Sequence, residues 1–345
     1  MLKIVAIVIL WAMVFLVQAA DFQVITNCRV SDLHGKLIKD FDGYMCSFYE
    51  DGSHLVSKLG ILEMRNDRGQ TIWFRNGLYH HQLKNDRERI VILSETSHDF
   101  FGCSTRFDTV EVLERKSGKL IRVLDLFNDY EKLIGLSSEE VVLRKAGFQK
   151  LIGRYRCDTT HVNSIYQLKN DFSYNNKTIP AGSWMINVQG LGIIVFYDNN
   201  LVKLIGGINW KEYFQSNMIH DVQIINDKIV LYANDVRIND QLIRKSAIVE
   251  LNLKAKKVDL FYFQIKGKNS YQPKSGGFDF NPQNGDWYIS SYDETDGFNV
   301  AVYNKNKKIK FNFTPIPKGI AGKGLVFQEP KLHNLESFFK NYKGF

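Results

Sequence analysis

Short apolar strands recur along this chain in units that share one internal plan. Each unit has an opening strand, a turn, an apolar strand, a loop and a closing β-hairpin, which makes four strands per unit. Five units are visible, at residues 43–74, 80–126, 161–206, 220–263 and 277–311. Four-stranded units that repeat radially are typical of a β-propeller. The sequence therefore predicts an all-β fold of this architecture.

The two ends of the chain predict one further blade. Residues 22–25 and 324–327 are strand-like, and their pairing would close the ring. We therefore expect six four-stranded blades in a single domain over residues 21–345, with an insert at about 128–156. The 345 residues are 44% hydrophobic, which is ample for a large core. A β-sandwich is the alternative, but it does not explain why one polar residue type recurs at the same point of several units.

Three of the units carry a histidine at their start. His81, His161 and His220 are each followed by polar residues and then by an apolar strand. The first strand of a propeller blade lines the central channel, so the repeat would bring these side chains together at the channel mouth. A single histidine is more often a structural residue, but recurrence at one repeat position favours a shared site. Only Asp221 offers a nearby carboxylate, which argues against a metal centre.

Three stretches resemble the bacterial arylsulfate sulfotransferases, and the resemblance covers about residues 40–315. They are residues 69–73 ahead of His80-His81, residues 161–165 with the pattern His-x-Asn-Ser, and residues 220–224 followed by 233–235. Their order on propeller-like units is more specific than any one of them alone. The resemblance implies a periplasmic six-bladed propeller that moves a sulfuryl group from an aryl sulfate to a phenol through a sulfohistidine, with no cofactor.

The resemblance also implies a role for each matching residue. His220 would be the nucleophile, while His81, His161 and Asn163 would hold the sulfuryl oxygens. A neutral imidazole is a good nucleophile near neutral pH. Negative charge lies on the oxygens of the transferred group, so fixed donors around it would lower the barrier. We expect Asp221 to join Asn163 among the substrate-binding residues.

One position departs from the family pattern. The family places an arginine shortly after the His-x-Asn-Ser strand, and Gln189 stands there in this chain. Glutamine can donate a hydrogen bond to the substrate but brings no charge. Loop arginines that could supply the charge are Arg106, Arg154, Arg156 and Arg237. We assign Arg106 to the substrate site with Gln189. The departure keeps a second function open, a non-catalytic propeller that binds an anionic or aromatic ligand at the channel mouth.

The N-terminal residues predict export. Residues 1–20 have the charged start, at Lys3, the apolar run and the small residues of a secretory signal peptide, with cleavage near Ala19 or Ala20. The apolar run is short for a bilayer span, and an uncleaved anchor is the alternative. We expect a periplasmic or secreted protein with no stable membrane insertion after cleavage.

The four cysteines fit an oxidising compartment. Export favours disulfides, and four cysteines permit two of them in three possible pairings. We expect Cys28–Cys46 and Cys103–Cys157, with free buried thiols as the alternative. A thiolate zinc site is not indicated, because the chain has no C-x-x-C pair.

The charge pattern does not point to a nucleic-acid partner. The formal net charge is +8, but the basic residues are dispersed along the chain rather than clustered. A solvated basic surface accounts for such a pattern. The resemblance to the arylsulfate sulfotransferases implies small-molecule partners instead, an aryl sulfate and a phenol.

Overall fold

The structure of the protein is a computed structural model. It describes residues 23–26, 28–32, 36–58, 60–85, 88–100, 103–129, 157–158, 160–174, 177–188, 192–197, 200–205, 219–234, 236–238, 241–242, 245–252, 254–255, 257–269, 276–293, 297–317, 331–333 and 336–344. The expected signal peptide lies outside these ranges, and so does the expected insert apart from its first two residues.

The first half of the described chain contains two blades. Three strands precede them: β1 (Gln23–Thr26), β2 (Arg29–Ser31) and β3 (Leu37–Asp40). The first blade consists of β4 (Met45–Phe48), β5 (His54–Lys58), β6 (Ile61–Arg65) and β7 (Thr71–Asn76). The second blade consists of β8 (Leu78–Asn85), β9 (Arg89–Phe100), β10 (Cys103–Glu114), β11 (Leu120–Asp125) and the short β12 (Cys157–Asp158).

Two further blades follow, and each has a small hairpin inserted between its strands. The third blade, with its hairpin β14–β15, contains β13 (Val162–Gln167), β14 (Phe172–Tyr174), β15 (Lys177–Ile179), β16 (Trp184–Val188), β17 (Gly192–Tyr197) and β18 (Asn200–Ile205). The fourth blade, with its hairpin β21–β22, contains β19 (Ile219–Ile225), β20 (Lys228–Ala233), β21 (Arg237–Ile238), β22 (Gln241–Leu242), β23 (Ala247–Asn252) and β24 (Lys257–Tyr262).

The last part of the chain holds the fifth blade and the C-terminal elements. A short hairpin comes first, with β25 (Gln264–Ile265) and β26 (Lys268–Asn269). The fifth blade consists of β27 (Gly277–Phe280), β28 (Trp287–Asp293), β29 (Gly297–Tyr303) and β30 (Ile309–Pro317). Strand β31 (Lys331–His333) and helix α1 (Glu336–Asn341) follow it.

The blades are arranged in sequence order around an axis. Within each blade the main strands run antiparallel, because turns or short excursions join each strand to the next. The opening strands β4, β8, β13, β19 and β27 contact one another in that order. This arrangement is an all-β propeller, which confirms the fold class expected from the repeat.

The hydrophobic core lies between neighbouring blades. Leu93 and Val110 of the second blade share a buried cluster with Ile186 and Ile194 of the third. Comparable clusters join the first blade to the second, the third to the fourth and the fourth to the fifth. The inner and central strands are therefore held rigidly, and polar groups at the ends of the opening strands are positioned by the core.

The blade count differs from the expected six four-stranded blades. Five blades are built from strands close in sequence, and the second of them has β12 as a fifth strand, parallel to β10. The remaining sheet, which we call the terminal sheet, combines β1–β3 with β31. Its inner strand comes from the far end of the chain, so it is not part of a local repeat. The expected partner of β1, residues 324–327, lies outside the described residues.

One disulfide joins the terminal sheet to the first blade. Cys28 precedes β2 and is bonded to Cys46 in β4, with the two Cα atoms 5.1 Å apart. This bond confirms the first expected pairing. The side chains of Cys103 and Cys157 are not described, so the second disulfide stays a prediction. Their backbones are near each other, because Thr105 of β10 pairs with Cys157.

Helix α1 covers the junction between the terminal sheet and the first blade. Phe338 of α1 and Tyr342 just beyond it pack their rings against Phe41, Phe48 and His54. These rings are buried and fix the C-terminal end of the chain on the ring of blades. Within the described ranges, no helix is long and apolar enough to cross a membrane.

Candidate functional site

The opening strands of three consecutive blades are irregular at the expected histidine positions. Register shifts occur at Tyr79/Leu83 in β8, at Val162/Ser164 in β13 and at His220/Val222 in β19. His161 and Asp221 also have φ angles of 23° and 45°, which side chains other than glycine seldom adopt. Bulges re-aim side chains and are frequent next to active sites. This end of the opening strands is therefore the candidate site.

His220 is buried in β19 and its imidazole is fixed. Its Nδ1 lies 2.5 Å from Oδ1 of Asn234, and because an amide oxygen can only accept, Nδ1 carries the proton. Burial lowers the pKa of His220 to about 4; Asn234 opposes this shift and His161 reinforces it. At neutral pH the ring is uncharged and Nε2 carries the lone pair. Nucleophilic attack requires this protonation state.

Arg106 and Glu95, which are both partly buried, form a cluster with the buried His80 and Asp108. Its Nη2 is 2.7 Å from Oδ1 of Asp108, and its Nε is 2.7 Å from Oε2 of Glu95. The same Nη2 lies 3.2 and 3.0 Å from Nδ1 and Nε2 of His80. Two carboxylates thus face one guanidinium, and the cluster has no excess positive charge.

Asp108 connects this cluster to the segment that carries His161. Its Oδ2 accepts hydrogen bonds from the Thr160 hydroxyl and the Val162 amide, both at 2.9 Å. These two residues flank His161 on either side. The carboxylate therefore holds the backbone of His161 in its unusual conformation, while its Oδ1 lies 2.8 Å from Nε2 of His80.

The pKa values in this region follow from burial and charge. Burial alone would raise the pKa of Asp108, but the Arg106 guanidinium and His80 hold it well below its usual range. Burial and the Arg106 charge lower the pKa of His80, and the hydrogen bond to Asp108 opposes this shift. His161 adds to the lowering of the pKa of both Asp108 and His220. The residues that follow it, Val162 and Asn163, are bonded to Asp108 and to the Ile219 carbonyl, so His161 lies between the two sites.

Gln82 and Asp221 form a buried pair that we call the inter-blade clasp. Nε2 of Gln82 donates to Oδ1 of Asp221 at 3.0 Å, and Oε1 of Gln82 accepts from the Ile165 amide at 3.0 Å. Oδ2 of Asp221 accepts from the Phe278 amide at 3.0 Å. The clasp joins the opening strands of the second to fifth blades. Both oxygens of Asp221 serve it, so a role in the fold accounts for this residue without a substrate.

Asn163 lies beside the backbone of His220. Its Nδ2 donates to the Ile219 carbonyl at 3.2 Å, and the same oxygen accepts from Nδ2 of Asn187 at 2.7 Å. Oδ1 of Asn163 and Oγ of Ser164 are buried, and neither has a hydrogen-bond partner in the part of the chain that the structure describes. Buried polar atoms are usually paired, so these two require an explanation.

Comparison with known proteins leaves the family open. No protein-family model matches this chain, and no curated protein matches it in sequence. Solved structures that resemble it include a protein of unknown function from Bacteroides caccae, with 12% identity and a TM-score of 0.49 over 91% of this chain and 99% of that one. The quinohemoprotein alcohol dehydrogenase from Comamonas testosteroni gives 9% identity and a TM-score of 0.41 over 86% of this chain and 57% of that one.

A third resemblance is to the β-propeller domain of the Trilobed protease from Pyrococcus furiosus. It gives 10% identity and a TM-score of 0.37 over 75% of this chain and 65% of that one. At these values the resemblances say nothing about function. The fold assignment rests on the strand order of this protein.

The structure brings five of the seven expected site residues to one region. They are His161, His220, Asn163, Asp221 and Arg106. The backbone of the sixth, His81, lies in β8, but its side chain is not described. The seventh, Gln189, falls outside the described residues. No group of three or more His, Cys, Asp or Glu side chains in the described ranges is arranged to hold a metal ion.

Sequence reasoning missed four residues of this region. His80, Gln82, Asp108 and Asn234 are buried and bonded to the expected ones. A signal existed for two of them, because His80 adjoins His81 and Asn234 lies within the family-like stretch 233–235. Gln82 and Asp108 had no local signal, since their partners are distant in sequence.

Proposed function

We propose that this protein moves a sulfuryl group from an aryl sulfate to a phenol, with His220 as the carrier. The observation that carries the proposal is the state of the His220 imidazole, which is buried, neutral and oriented by Asn234. In this tautomer Nε2 holds the lone pair that a nucleophile needs. The bulged opening strands and the resemblance at residues 161–165 and 220–224 support the same chemistry.

The reaction consists of two balanced half-reactions. In the first, the Nε2 lone pair of His220 attacks sulfur, the bond between sulfur and the aryl oxygen breaks, and an aryl oxide leaves. In the second, the oxygen of the phenol attacks sulfur, and the electrons of the nitrogen–sulfur bond return to Nε2. The phenol proton passes to the aryl oxide or to water. The histidine is regenerated without a net change.

A non-catalytic propeller that binds an aromatic ligand is the second candidate. The environment of Arg106 favours it, because Glu95 and Asp108 neutralise the guanidinium. Sulfuryl transfer gains most from positive charge that is free to face the transferred oxygens. A protein that only binds an aromatic ligand needs no such charge.

Incubation of the purified protein with a chromogenic aryl sulfate and a phenol distinguishes the two candidates. The wild type should release the coloured phenol, and with donor alone His220 should gain the mass of one sulfuryl group. His220→Ala should lose both signals. His54→Phe is the matched control, because His54 is also buried with a pKa of about 4 but packs against α1. Ligand binding without label or turnover, over several donors and acceptors, would favour the second candidate.

We also propose that the terminal sheet completes the ring as a sixth blade. On one side its strand β31 contacts β27 of the fifth blade. On the other side Ile25 and Val30 share a buried cluster with Phe48 and Val56 of the first blade. A sheet that packs between the first and fifth blades would close the circle, as propellers do.

We further propose that the protein is exported to the periplasm or secreted, with cleavage near Ala19 or Ala20. The Cys28–Cys46 disulfide supports export, because such bonds persist in oxidising compartments. N-terminal sequencing of the mature protein tests this. A chain that still begins at Met1 would contradict cleavage.

A further inference from the structure

We propose that Asn163 and Ser164 form the binding site for the hydroxyl group of the acceptor phenol. The site lies at the bulge where β13 begins. The inference rests on the proposed transfer function and names the substrate group that these residues contact. It differs from the expectation that Asn163 holds the sulfuryl oxygens.

Two buried polar atoms at this bulge have no hydrogen-bond partner within the described ranges. Asn163 and Ser164 are both 0% exposed, and no described residue forms a hydrogen bond with Oδ1 of Asn163 or Oγ of Ser164. A buried polar atom without a partner costs folding free energy. Such atoms are therefore expected where a ligand or an ordered water completes the hydrogen bonding.

The orientation of the Asn163 amide follows from its neighbour. The NH2 group must face the Ile219 carbonyl, 3.2 Å away, because the amide oxygen would meet a second acceptor there. Oδ1 therefore faces away from Ile219 and can only accept. The oxygens of a sulfuryl group carry no proton and cannot donate to it, whereas a phenol hydroxyl can.

The position of Asn163 suits the second half-reaction. Ile219, whose carbonyl holds the amide, directly precedes His220. The acceptor oxygen must approach sulfur carried on His220, and Asn163 is anchored to the residue that precedes it. Fixing two reactants next to each other removes much of the entropic barrier to their reaction.

Competition between phenol and anisole tests the inference in binding alone. The two ligands have the same ring, but the methyl ether cannot donate a hydrogen bond. By titration calorimetry without donor, the wild type should bind phenol about tenfold more tightly than anisole. Asn163→Leu and Ser164→Ala should each reduce this preference. Asn187→Ala, which removes the other donor to Ile219, should keep it.

The stability of Ser164→Ala separates a binding role from a structural one. The substitution removes a buried hydroxyl that no described residue bonds, so the unfolding temperature should stay the same or rise. If Asn163→Leu does not fold, Ser164→Ala still measures the preference for phenol over anisole. The inference is overturned if both folded variants keep the full wild-type preference for phenol. It is also overturned if the wild type binds phenol and anisole equally, as expected when ordered water fills the site.

The two half-reactions separate failure of this inference from failure of the proposed function. Asn163→Leu should form sulfohistidine from a chromogenic aryl sulfate at the wild-type rate. Transfer of the sulfuryl group from this sulfohistidine to phenol should be on the order of tenfold slower than in the wild type. Slower formation of sulfohistidine with unchanged transfer overturns the inference and leaves the function intact. If no sulfohistidine forms in the wild type, the function fails, and the ratio of phenol to anisole binding still decides the inference.

Discussion

Two buried histidines of this protein have the same pKa of about 4 in different surroundings. Burial is the main cause in both. For His220 the Asn234 side chain opposes the shift, and the ring lies at the bulge of an opening strand. For His54 the Arg65 charge adds to the shift, and aromatic rings surround the imidazole. The neutral imidazole of His220 therefore belongs to the candidate site, whereas the neutral imidazole of His54 belongs to an aromatic packing cluster.

The pH dependence of transfer should follow the imidazole of His220. Its neutral form is the nucleophile, so the rate of sulfohistidine formation should be level at neutral pH and fall by half near the pKa of about 4. Asn234→Asp places a carboxylate next to Nδ1, which stabilises the imidazolium and should move the acidic limb to higher pH. Single-turnover rates between pH 3 and pH 8, roughly the range in which imidazole titrates, measure both curves. If the acidic limb of the rate profile lies at the same pH in the wild type and in Asn234→Asp, His220 is not the nucleophile.

The stability of the fold should decline in acid partly through His54. Burial lowers its pKa from the ordinary 6.5 of a histidine to about 4 in the fold, so the folded protein prefers the neutral ring. This preference contributes fully to the free energy of unfolding above pH 6.5. The contribution is lost as the pH falls towards 4, at about 1.4 kcal/mol per pH unit. His54→Phe keeps an aromatic ring and removes the titration. Urea unfolding at pH 7 and pH 4.5, about the ends of that window, should show a smaller loss for the variant.

At the scale of elements, the bulges explain which site residues the sequence could reveal. The spacing of the repeats found His161 and His220, since each marks the start of an opening strand. In β8 the register shifts between Tyr79 and Leu83, so alternation along the strand no longer tells which of two adjacent histidines faces the site. His80 proves to be bonded to Arg106. Side chains at irregular positions of a strand depend on tertiary contacts that local periodicity does not encode.

Removal of the inter-blade clasp should destabilise the protein strongly. Gln82→Ala leaves the Ile165 amide and one oxygen of Asp221 without their buried partner. Each such group costs about 1–3 kcal/mol, so we expect a loss of roughly 2–6 kcal/mol in the free energy of unfolding. Gln223→Ala is the control, because it removes one half-buried bond to the Phe278 carbonyl and should cost about 1 kcal/mol. If denaturant titrations show that both variants lose the same free energy of unfolding, the clasp stabilises the fold no more than a single half-buried hydrogen bond does.

At the scale of the whole molecule, the repeated strand pattern was sufficient to predict an all-β propeller and its five local blades. Each blade is local in sequence, so apolar alternation and turn residues mark its strands. The terminal sheet was harder, because β1 pairs with β31 from the other end of the chain. Pairing between distant segments leaves no mark in a local pattern, and the partner that hydropathy suggested was residues 324–327.

The Cys28–Cys46 disulfide should stabilise the junction of the terminal sheet and the first blade. The two residues are separated by 18 positions, and closing a loop of this size restricts the unfolded chain by about 3 kcal/mol. The double variant Cys28→Ser/Cys46→Ser should therefore unfold at a lower temperature while other cysteines stay untouched. Scanning calorimetry without reductant measures the shift. An unchanged midpoint would mean that packing around α1 holds the junction alone.

The inter-blade clasp also has a consequence for the order of folding. Its hydrogen bonds join residues 139, 83 and 57 positions apart, whereas each blade pairs strands that are neighbours along the chain. Contacts of high sequence separation form late, since the loops between them must close first. We therefore expect single blades to form first and the clasp to close only when the second to fifth blades are in place. On this expectation, the contact between Gln82 and Asp221 is among the last native contacts to form.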